Sequence, residues 1–398
     1  MIKLNEAFEI INREITRLPS VTAPLVAAAG CELREDIVAT MDIPPFACSA
    51  MDGFAVRIAD FEGAGPWRMP VQKIIAAGDS TMDSMRKGHA AKIMTGAPLP
   101  EGADSVVKVE DVSADSRHVT IEKIPPAGNH VRPAGNDIKK GKALYKTGDR
   151  LDAVAIGVLA SIGRSQVKIT PKPKIAVLST GQELANPGQE ISRGRIYNSN
   201  DFVLKSLLKK DGLEISPEFS TSVDNVDVFC SVLEKNIADY DLVITSGAVS
   251  MGDFDLMPEA VRRMGGRILF HKVFVKPGKP ALLAQIDGRW LLGLPGNPVS
   301  VFVGYHLHAR RIIAALSGLE YFPKRGRAVL RSDLEVNGDR LYYVGAKIEE
   351  RDGAFIAYPS TRQESGRLSS IAGINGFISV KGGTRTIPKG SVVNIEWI

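Results

Sequence analysis

Between residues 175 and 316 the chain alternates between short apolar runs and longer amphipathic segments. Short apolar runs bounded by turn residues are typical of buried strands, and amphipathic segments of ten or more residues are typical of helices. This alternation predicts a doubly wound α/β domain, which binds ligands at the carboxyl ends of its strands. The predicted strands span 175–179, 214–222, 241–245, 268–275, 281–286 and 289–294, and the predicted helices span 201–208, 224–237, 256–264 and 297–316. Asp287-Gly288, between the last two strands, is the signature of a two-residue hairpin.

The stretch D-L-V-I-T-S-G-A-V-S-M-G-D-F-D, residues 241–255, points most directly to a ligand. In it a strand, a loop of glycines and serines and a helix follow one another, so free N–H groups and the helix dipole face the loop. Glycines permit close approach of the backbone, and hydroxyls can donate to a ligand. The pattern is neither G-x-x-x-x-G-K-[ST] nor G-x-G-x-x-G. It predicts an anion site, with an ordinary strand-to-helix loop as the alternative.

The remaining sequence predicts further domains. Leu4, Phe8, Ile11 and Ile15 recur at helical spacing, and an apolar helix at 151–163 is expected to pack on this first helix. Short alternating runs with many glycines and prolines predict a β-rich insertion, and turn signals near the end of the chain predict a small β barrel. The expected domains are a helical and mixed domain at 1–40 and 145–172, the β-rich insertion at 41–144, the α/β domain at 173–322 and the β barrel at 323–398.

Composition excludes several classes of protein. The chain has 398 residues and a net charge of +5, and no run of lysines and arginines predicts a nucleic-acid surface. The sequence contains no stretch of about 18 consecutive apolar residues, so it predicts no transmembrane helix. Cys31, Cys48 and Cys230 are scattered, which fits a reducing compartment and offers no zinc site. We therefore expect a cytoplasmic protein whose ligand is a small anion rather than nucleic acid or a membrane.

Basic side chains cluster around a second turn, V-F-V-K-P-G-K-P at 273–280. Lys272, Lys276 and Lys279 place three ammonium groups near one strand end, which predicts a site for phosphate or another oxyanion. A solvated basic turn is the alternative. Lysines, carboxylates and a glycine-serine loop suit a phosphate ester or anhydride with a divalent metal, because Mg²⁺ binds few protein carboxylates and completes its shell with phosphate and water. The carboxylates expected across the same crevice are Glu183, Asp224, Asp253 and Asp255.

Two segments of the β-rich region are further candidates. In S-A-M-D-G, residues 49–53, small residues surround Asp52 and leave room for close packing. A structural turn in which Asp52 caps local N–H groups is the alternative. Thr95 lies in a tight bend before two proline turns, and Asp137 lies between glycine turns as either a loop cap or a functional carboxylate.

Seven motifs occur in the order seen in molybdopterin molybdenumtransferases, the bacterial molybdenum-insertion enzymes and the matching E domain of gephyrin. The chain resembles this family over nearly its whole length. The resemblance implies an elongated four-domain homodimer of multidomain α/β plus β class, with an α/β domain of the molybdopterin-binding type. It also implies an active cleft between the α/β domain of one subunit and the β insertion of the other. The motifs are S-A-M-D-G-F-A-V, M-T-G-A-P-L-P-E-G-A-D, G-N-D-I, L-S-T-G-Q-E-L, T-S-G-A-V-S-M-G-D-F-D, K-P-G-K-P and G-L-P-G-N-P-V-S.

The resemblance also implies a reaction and its participants. Family members take molybdate and adenylylated molybdopterin, cleave the phosphoanhydride with Mg²⁺ or another divalent cation, and release AMP. Molybdopterin adenylyltransferase would act upstream, and proteins that deliver the cofactor to molybdoenzymes are possible partners. Implied catalytic residues are Asp52, Thr95, Asp137, Glu183, Asp224, Asp255, Lys272, Lys276 and Lys279, with Asp224 and Asp255 as metal ligands. Implied substrate-binding residues are Ser246, Gly247, Ser250, Gly252, Pro295, Gly296, Asn297, Ser300 and Ser365.

The sequence departs from the family pattern at several positions. Ala47 and Cys48 replace an aspartate and a polar residue, and Gly345 stands near the place of a barrel arginine. A glycine cannot bind an oxyanion with a side chain, so Lys347 and Arg340 are the candidates to supply this charge. These departures leave open a carrier or scaffold that binds the molybdopterin nucleotide, and an insertion enzyme that prefers tungstate. A nucleotide pyrophosphatase on the same α/β fold is a third alternative.

Overall fold

The structure, a computed structural model, describes residues 1–80, 84–215, 219–221, 225–247, 256–360 and 364–398. Within these ranges the chain forms two compact units. The α/β-barrel unit comprises Met1–Val21 and Thr170–Ile398, and the insertion unit comprises Thr22–Ile169. The first helix, α1 (Leu4–Glu14), belongs to the α/β-barrel unit, and its apolar spacing buries one face of the helix in the core of that unit.

The insertion unit is rich in short strands, as the glycine and proline pattern predicts. Its elements in chain order are β1 (Val21–Pro24), α2 (Leu25–Ala28), β2 (Glu32–Leu33), β3 (Ile37–Val38), β4 (Cys48–Ser49), β5 (Gly53–Val56), β6 (Trp67–Ile75), β7 (Ala90–Ile93), β8 (Ser105–Lys108), β9 (Val112–Ala114), β10 (His118–Ile121), β11 (Val131–Arg132), β12 (Ala143–Tyr145), α3 (Ala153–Ser161) and β13 (Gln166–Thr170). Its largest sheet has the order β8-β5-β7-β6-β10-β9. The first residue of β5 is Gly53, and this position requires a glycine because a Cβ there would lie 2.1 Å from the Val107 carbonyl oxygen.

Helices α2 and α3 pack together with the short sheet β1-β13-β2. Asp152 caps α3 by accepting a hydrogen bond from Ala155 N at 2.8 Å. The prediction that the helix at 151–163 packs on the first helix is wrong, because the buried residues of α1 and α3 belong to different cores. Since α3 is apolar on nearly all sides, its sequence carries no stripe that identifies its partner.

The α/β-barrel unit contains the predicted doubly wound sheet. Its sheet places the strands in the order Phe219–Thr221, Ile175–Thr180, Leu242–Ser246, Arg289–Leu294, Leu282–Ile286 and Arg267–His271. The first four are parallel to one another, and Leu282–Ile286 is antiparallel to both of its neighbours. The expected strand 268–275 is interrupted, because Lys272 adopts a positive φ of 70°. The elements are β14 (Ile175–Thr180), β15 (Leu184–Ala185), β16 (Ile196–Tyr197), α4 (Ser199–Lys210), β17 (Phe219–Thr221), α5 (Val226–Ile237), β18 (Leu242–Ser246), α6 (Leu256–Arg263), β19 (Arg267–His271), β20 (Val275–Lys276), β21 (Leu282–Ile286) and β22 (Arg289–Leu294).

Helices cover both faces of this sheet. After β22 the chain continues through α7 (Pro298–Gly304), a π-helical turn (Tyr305–Ala309) and α8 (Arg310–Leu316). One face of the sheet packs on α1, α4 and this last helical run, and the other packs on α5 and α6. Burial on both faces explains why the central strands read as continuous apolar runs.

Asp287 and Gly288 form the predicted two-residue hairpin between β21 and β22, with φ values of 47° and 74°.

The predicted barrel follows, and within the described residues its strands are β23 (Arg325–Leu330), β24 (Leu334–Val336), β25 (Leu341–Arg351), β26 (Ala354–Pro359), β27 (Gly376–Val380), β28 (Arg385–Ile387) and β29 (Val392–Trp397). The series β25-β26-β23-β29-β27 closes on itself because β27 also pairs with β25. The short strand β20 joins this sheet in parallel with β25, so a loop of the α/β domain is hydrogen-bonded to the barrel.

Candidate functional site

A cavity of about 1360 Å³ lies where β14, β18 and β22 end, and we call it the main cavity. Its volume exceeds the roughly 300–1,000 Å³ of common small-molecule sites, so it can hold a substrate of several linked groups. The position agrees with the rule that such sheets bind ligands at the carboxyl ends of their strands. The lining residues come from segments 180–184, 196–200, 246–247, 276–280, 295–300 and 364–368, together with Leu256 and Arg340.

The end of β18 forms part of the cavity wall, as the anion-loop hypothesis expects. Ser246 is buried, and its hydroxyl lies 3.1 Å from the Ser179 hydroxyl on β14. Thr180 Oγ1 donates to the Ser246 carbonyl oxygen at 3.3 Å, and Gly247 N donates to Leu294 O at 3.0 Å. Three strand ends are thus joined at this point. Ser250, Gly252, Asp253 and Asp255 lie outside the described residues.

Gly247 cannot be replaced without a change in this junction. Its φ is +96°, and an added Cβ would lie 2.5 Å from the Thr180 carbonyl oxygen. We expect Gly247→Ala to lower the free energy of unfolding by about 1–3 kcal/mol, measured by urea denaturation. Gly366→Ala is the matched control, because a Cβ there has Asn297 Oδ1 at 4.0 Å as its nearest neighbour. Equal unfolding midpoints for the two variants would contradict the steric argument.

Two of the three predicted lysines line the main cavity. Lys276 and Lys279 lie on either side of the Pro-Gly turn, and both are half-buried. The Lys276 ammonium donates to the Tyr342 hydroxyl at 3.0 Å, because β20 pairs with β25 in a register that places these two residues opposite each other. The structure places Lys272 outside the cavity lining, where its backbone N–H donates to Ala281 O at 2.9 Å.

The barrel supplies a third cation to the main cavity. Arg340 lines the cavity and donates to the Val275 carbonyl oxygen at 3.3 Å, one residue before Lys276. Lys347, the other candidate, is 63% exposed and forms an ion pair with Glu349 at 2.8 Å. Position 345 is enclosed by aliphatic side chains, since a Cβ on Gly345 would lie 3.0 Å from Ile374 and 3.3 Å from Ile371. Of the two candidates, Arg340 is therefore the one that brings a positive charge from the barrel to the main cavity.

Two helix N-termini contribute to the same cavity. Asn198 caps the twelve-residue helix α4 by accepting from Asp201 N, and Asn200 in its first turn donates to Gly296 O at 2.7 Å. Asn297 precedes α7 and donates to Ser365 Oγ at 3.1 Å, which joins the loop before α7 to the barrel. Helix N-termini favour anions. The predicted substrate-binding residues that line the cavity are Ser246, Gly247, Pro295, Gly296, Asn297, Ser300 and Ser365.

Glu183 is the predicted carboxylate that lines the main cavity among the described residues. Its side chain is exposed and lies over Gly181, where a Cβ would be 2.6 Å from its carboxylate oxygens. Asp224 and Asp255, the predicted metal ligands, lie outside the described residues. Within the described ranges, no group of three or more histidine, cysteine, aspartate or glutamate residues could hold a metal ion.

The insertion unit holds Asp52, Thr95 and Asp137. Asp52 Oδ1 accepts from Thr95 N at 2.7 Å and from Thr95 Oγ1 at 2.8 Å. These two donors hold the pKa of the exposed Asp52 carboxyl below its usual range, the backbone N–H being the larger cause. Asp137 is exposed, and its backbone N–H donates to Ile43 O at 2.9 Å. Asp52 precedes β5 and Thr95 follows its partner strand β7, so these two hydrogen bonds join the neighbouring ends of the two strands.

Sequence reasoning missed several residues of the main cavity. Asn198, Ser199 and Asn200 follow the motif R-I-Y, and three cap-forming residues before an amphipathic segment are a recognisable helix start. Tyr197 also lines the cavity, but a single aromatic residue gives no signal of its own.

Comparison with known families covers most of the chain. Residues 2–163 match the description "MoeA N-terminal region (domain I and II)", residues 176–315 match "Probable molybdopterin binding domain", and residues 327–398 match "MoeA C-terminal region (domain IV)". Among the described residues, no helix has both the length and the apolar character needed to cross a lipid bilayer.

Curated relatives and solved structures match over the full length. The chain is 34% identical to the molybdopterin molybdenumtransferase of Staphylococcus epidermidis and 35% identical to that of Staphylococcus aureus strain COL. In both cases 99% of this chain and 95% of the relative are aligned. The crystal structure of the molybdopterin biosynthesis MoeA protein of Pyrococcus horikosii superimposes with a TM-score of 0.80 and 30% identity, covering 100% of this chain and 99% of that one. The chain therefore belongs to the molybdopterin molybdenumtransferase family, the enzymes that insert molybdenum in molybdenum cofactor biosynthesis.

Proposed function

We propose that this chain inserts molybdenum from molybdate into adenylylated molybdopterin and releases AMP. The observation that carries the proposal is the main cavity, where Lys276, Lys279 and Arg340 lie with the N-termini of α4 and α7. Molybdate and a diphosphate linkage are both multiply charged oxyanions, and ammonium and guanidinium groups with free helix N–H groups bind such anions. A cavity of about 1360 Å³ has room for both substrates together.

The residues that line the main cavity support separate binding sites for the phosphates of the pterin substrate and for molybdate. The strand-end junction at Ser246 and Gly247 lines the cavity, and in other anion sites the N–H groups of loops and helices that follow strand ends bind phosphates. Lys276, Lys279 and Arg340 offer concentrated positive charge to molybdate. Because these charges are in place before the reaction, they also stabilise the charge that develops on AMP as the phosphoanhydride is cleaved.

We propose Mg²⁺ or another divalent cation as the cofactor, held by Asp224 and Asp255. Mg²⁺ prefers oxygen ligands, and Glu183 presents carboxylate oxygens to the same cavity, which fits this choice. When bound, the cation would neutralise phosphate charge. We further propose Asp52, Thr95, Asp137 and Lys272 as functional residues, with Asp52 kept ionised by its two Thr95 hydrogen bonds.

We propose that the chain forms a homodimer through α2 and α3, in the domain of residues 1–40 and 145–172. Neither helix carries a charged residue, yet Val26 is 87% and Val154 71% exposed. Gly157 lies on α3 with no atom within 4 Å of a Cβ placed there. An exposed apolar surface of this kind is typical of an interface between proteins.

We expect Val154→Glu to shift the chain from dimer to monomer, because a carboxylate buried without a partner costs several kcal/mol. Size-exclusion chromatography with light scattering measures this directly. Phe322→Glu is the matched control, since Phe322 is 80% exposed but belongs to the other unit. A dimeric Val154→Glu variant would contradict the use of this face.

The proposed partners follow from the reaction. Molybdopterin adenylyltransferase would supply the adenylylated substrate, and molybdoenzyme delivery proteins would receive the product. We also propose a cytoplasmic location, which the scattered sequence positions of Cys31, Cys48 and Cys230 support.

The deciding experiment measures AMP release from adenylylated molybdopterin with Mg²⁺, in the presence of molybdate, of tungstate and of neither. We expect repeated turnover that depends on the oxyanion. Omission of Mg²⁺, with a chelator present, is expected to stop release. Release at the same rate without any oxyanion would overturn the insertion function.

A carrier that binds the molybdopterin nucleotide without turnover is the second candidate. The observation that favours it is Gly345, because the enclosure of this position by Ile371 and Ile374 leaves the barrel without a side-chain charge there. The same assay separates the two functions, since a carrier would bind the adenylylated substrate with one-to-one stoichiometry and release no AMP.

A further inference from the structure

The main cavity has an apolar wall in addition to its charged residues. Tyr197 and Ile196 line the cavity, yet they are 44% and 57% exposed. Leu184, which pairs with Ile196 from strand β15, also lines the cavity. Water contact with large apolar side chains is unfavourable, so such side chains inside a cavity are typical of a surface that a ligand covers.

The Tyr197 side chain is held in place before any ligand binds. Strand β16 pairs in parallel with β15, which places Tyr197 opposite Ala185. On the next residue, Asn198 N donates to Ala185 O at 2.9 Å. The Tyr197 hydroxyl donates to Gln189 O at 2.9 Å. Because its hydroxyl already has an acceptor in the protein, the residue offers its ring to the cavity.

We propose that Tyr197 stacks on a planar heterocycle of the substrate, and this proposal rests on the proposed function. Aromatic side chains bind flat heteroaromatic rings by stacking, and the interaction tolerates different rings because each has a π face. The adenylylated substrate carries two such rings, adenine and the pterin. Tyr197 therefore recognises a ring attached to phosphate, while the lysines and Arg340 recognise the anions.

Direct binding measurements on the full chain test this assignment. The probes are AMP, a pterin that carries a phosphate ester, and molybdate alone, titrated by calorimetry into the wild type, Tyr197→Ala, Tyr197→Phe and Phe322→Ala. Loss of a stacking partner is expected to raise the Kd of Tyr197→Ala about tenfold for at least one ring-containing probe. Tyr197→Phe keeps the ring and should stay within about twofold of the wild type. Phe322→Ala removes an exposed aromatic residue outside the cavity and should change nothing.

The pattern among the probes identifies the ring. A loss confined to AMP assigns the wall to adenine, and a loss confined to the pterin probe assigns it to the pterin. Unchanged binding of both probes by Tyr197→Ala would overturn the proposal, as would an equal loss of molybdate binding, which would indicate general damage to the cavity. Molybdate-dependent AMP release by the wild type, assayed in the same preparation, tests the proposed function separately.

Discussion

Exchange of Lys276 for methionine is expected to lower kcat/KM for molybdate-dependent AMP release by about a hundredfold or more. The Lys276 ammonium lines the main cavity and is held at 3.0 Å by the Tyr342 hydroxyl, so its charge is fixed before the substrate binds. Methionine keeps the length of the side chain and removes the charge. The effect is therefore electrostatic, and it is measured by steady-state kinetics with molybdate as the varied substrate.

Variants of Arg340 and Lys347 test whether the loss of activity is specific to cations that line the main cavity. Arg340→Gln is expected to raise KM for molybdate about tenfold, because the guanidinium lines the same cavity. Lys347→Met is the control and should leave the kinetics unchanged, since Lys347 is bound to Glu349 on an exposed part of the barrel. Full activity of Lys276→Met, or an equal loss in Lys347→Met, would contradict the placement of the anion site.

Acidification is expected to destabilise the fold through two buried histidines in the π-helical turn. His306 and His308 are 2% and 1% exposed. Burial lowers the pKa of His306 to about 3, where the positive charge of Arg310 lowers it further and the negative charge of Asp211 opposes the shift. Burial also lowers the pKa of His308 to about 4, and there Arg311 adds to the shift. The unfolded chain takes up protons below pH about 6.5, and the folded chain does so only near these lower values. Stability is therefore lost as pH falls below about 6.5, by up to about 1.4 kcal/mol per pH unit for each histidine.

Urea denaturation at pH 7, 6 and 5 measures this loss. His308→Leu removes a group whose pKa is lowered by burial and by the charge of Arg311, so the stability of this variant should fall less steeply with acid than that of the wild type. His306→Phe should do the same to a similar degree, although it also removes the contact of His306 Nδ1 with Arg310 at 3.4 Å. Parallel stability curves for the wild type and both variants would show that other groups cause the acid sensitivity.

Local patterns were sufficient for most of the elements. The doubly wound sheet, the hairpin at Asp287 and Gly288 and the closed barrel are confirmed, because apolar periodicity and turn residues act over a few positions. The prediction that the helix at 151–163 packs on the first helix is wrong because it depends on contacts between distant parts of the chain. A helix that is apolar all round can pack on many surfaces, and only the complete fold selects one of them.

By itself the sequence determined which residue types could form an anion site and that they would follow strand ends. It named Lys276, Lys279 and Glu183, and the structure places all three along the main cavity. The tertiary structure alone decided between Arg340 and Lys347, because both are cations near the same strand and differ only in what surrounds them. It also brought Tyr197 to the cavity, through pairing of two-residue strands separated by the ten residues 186–195. Such choices depend on contacts between residues far apart in the chain, which no local pattern encodes.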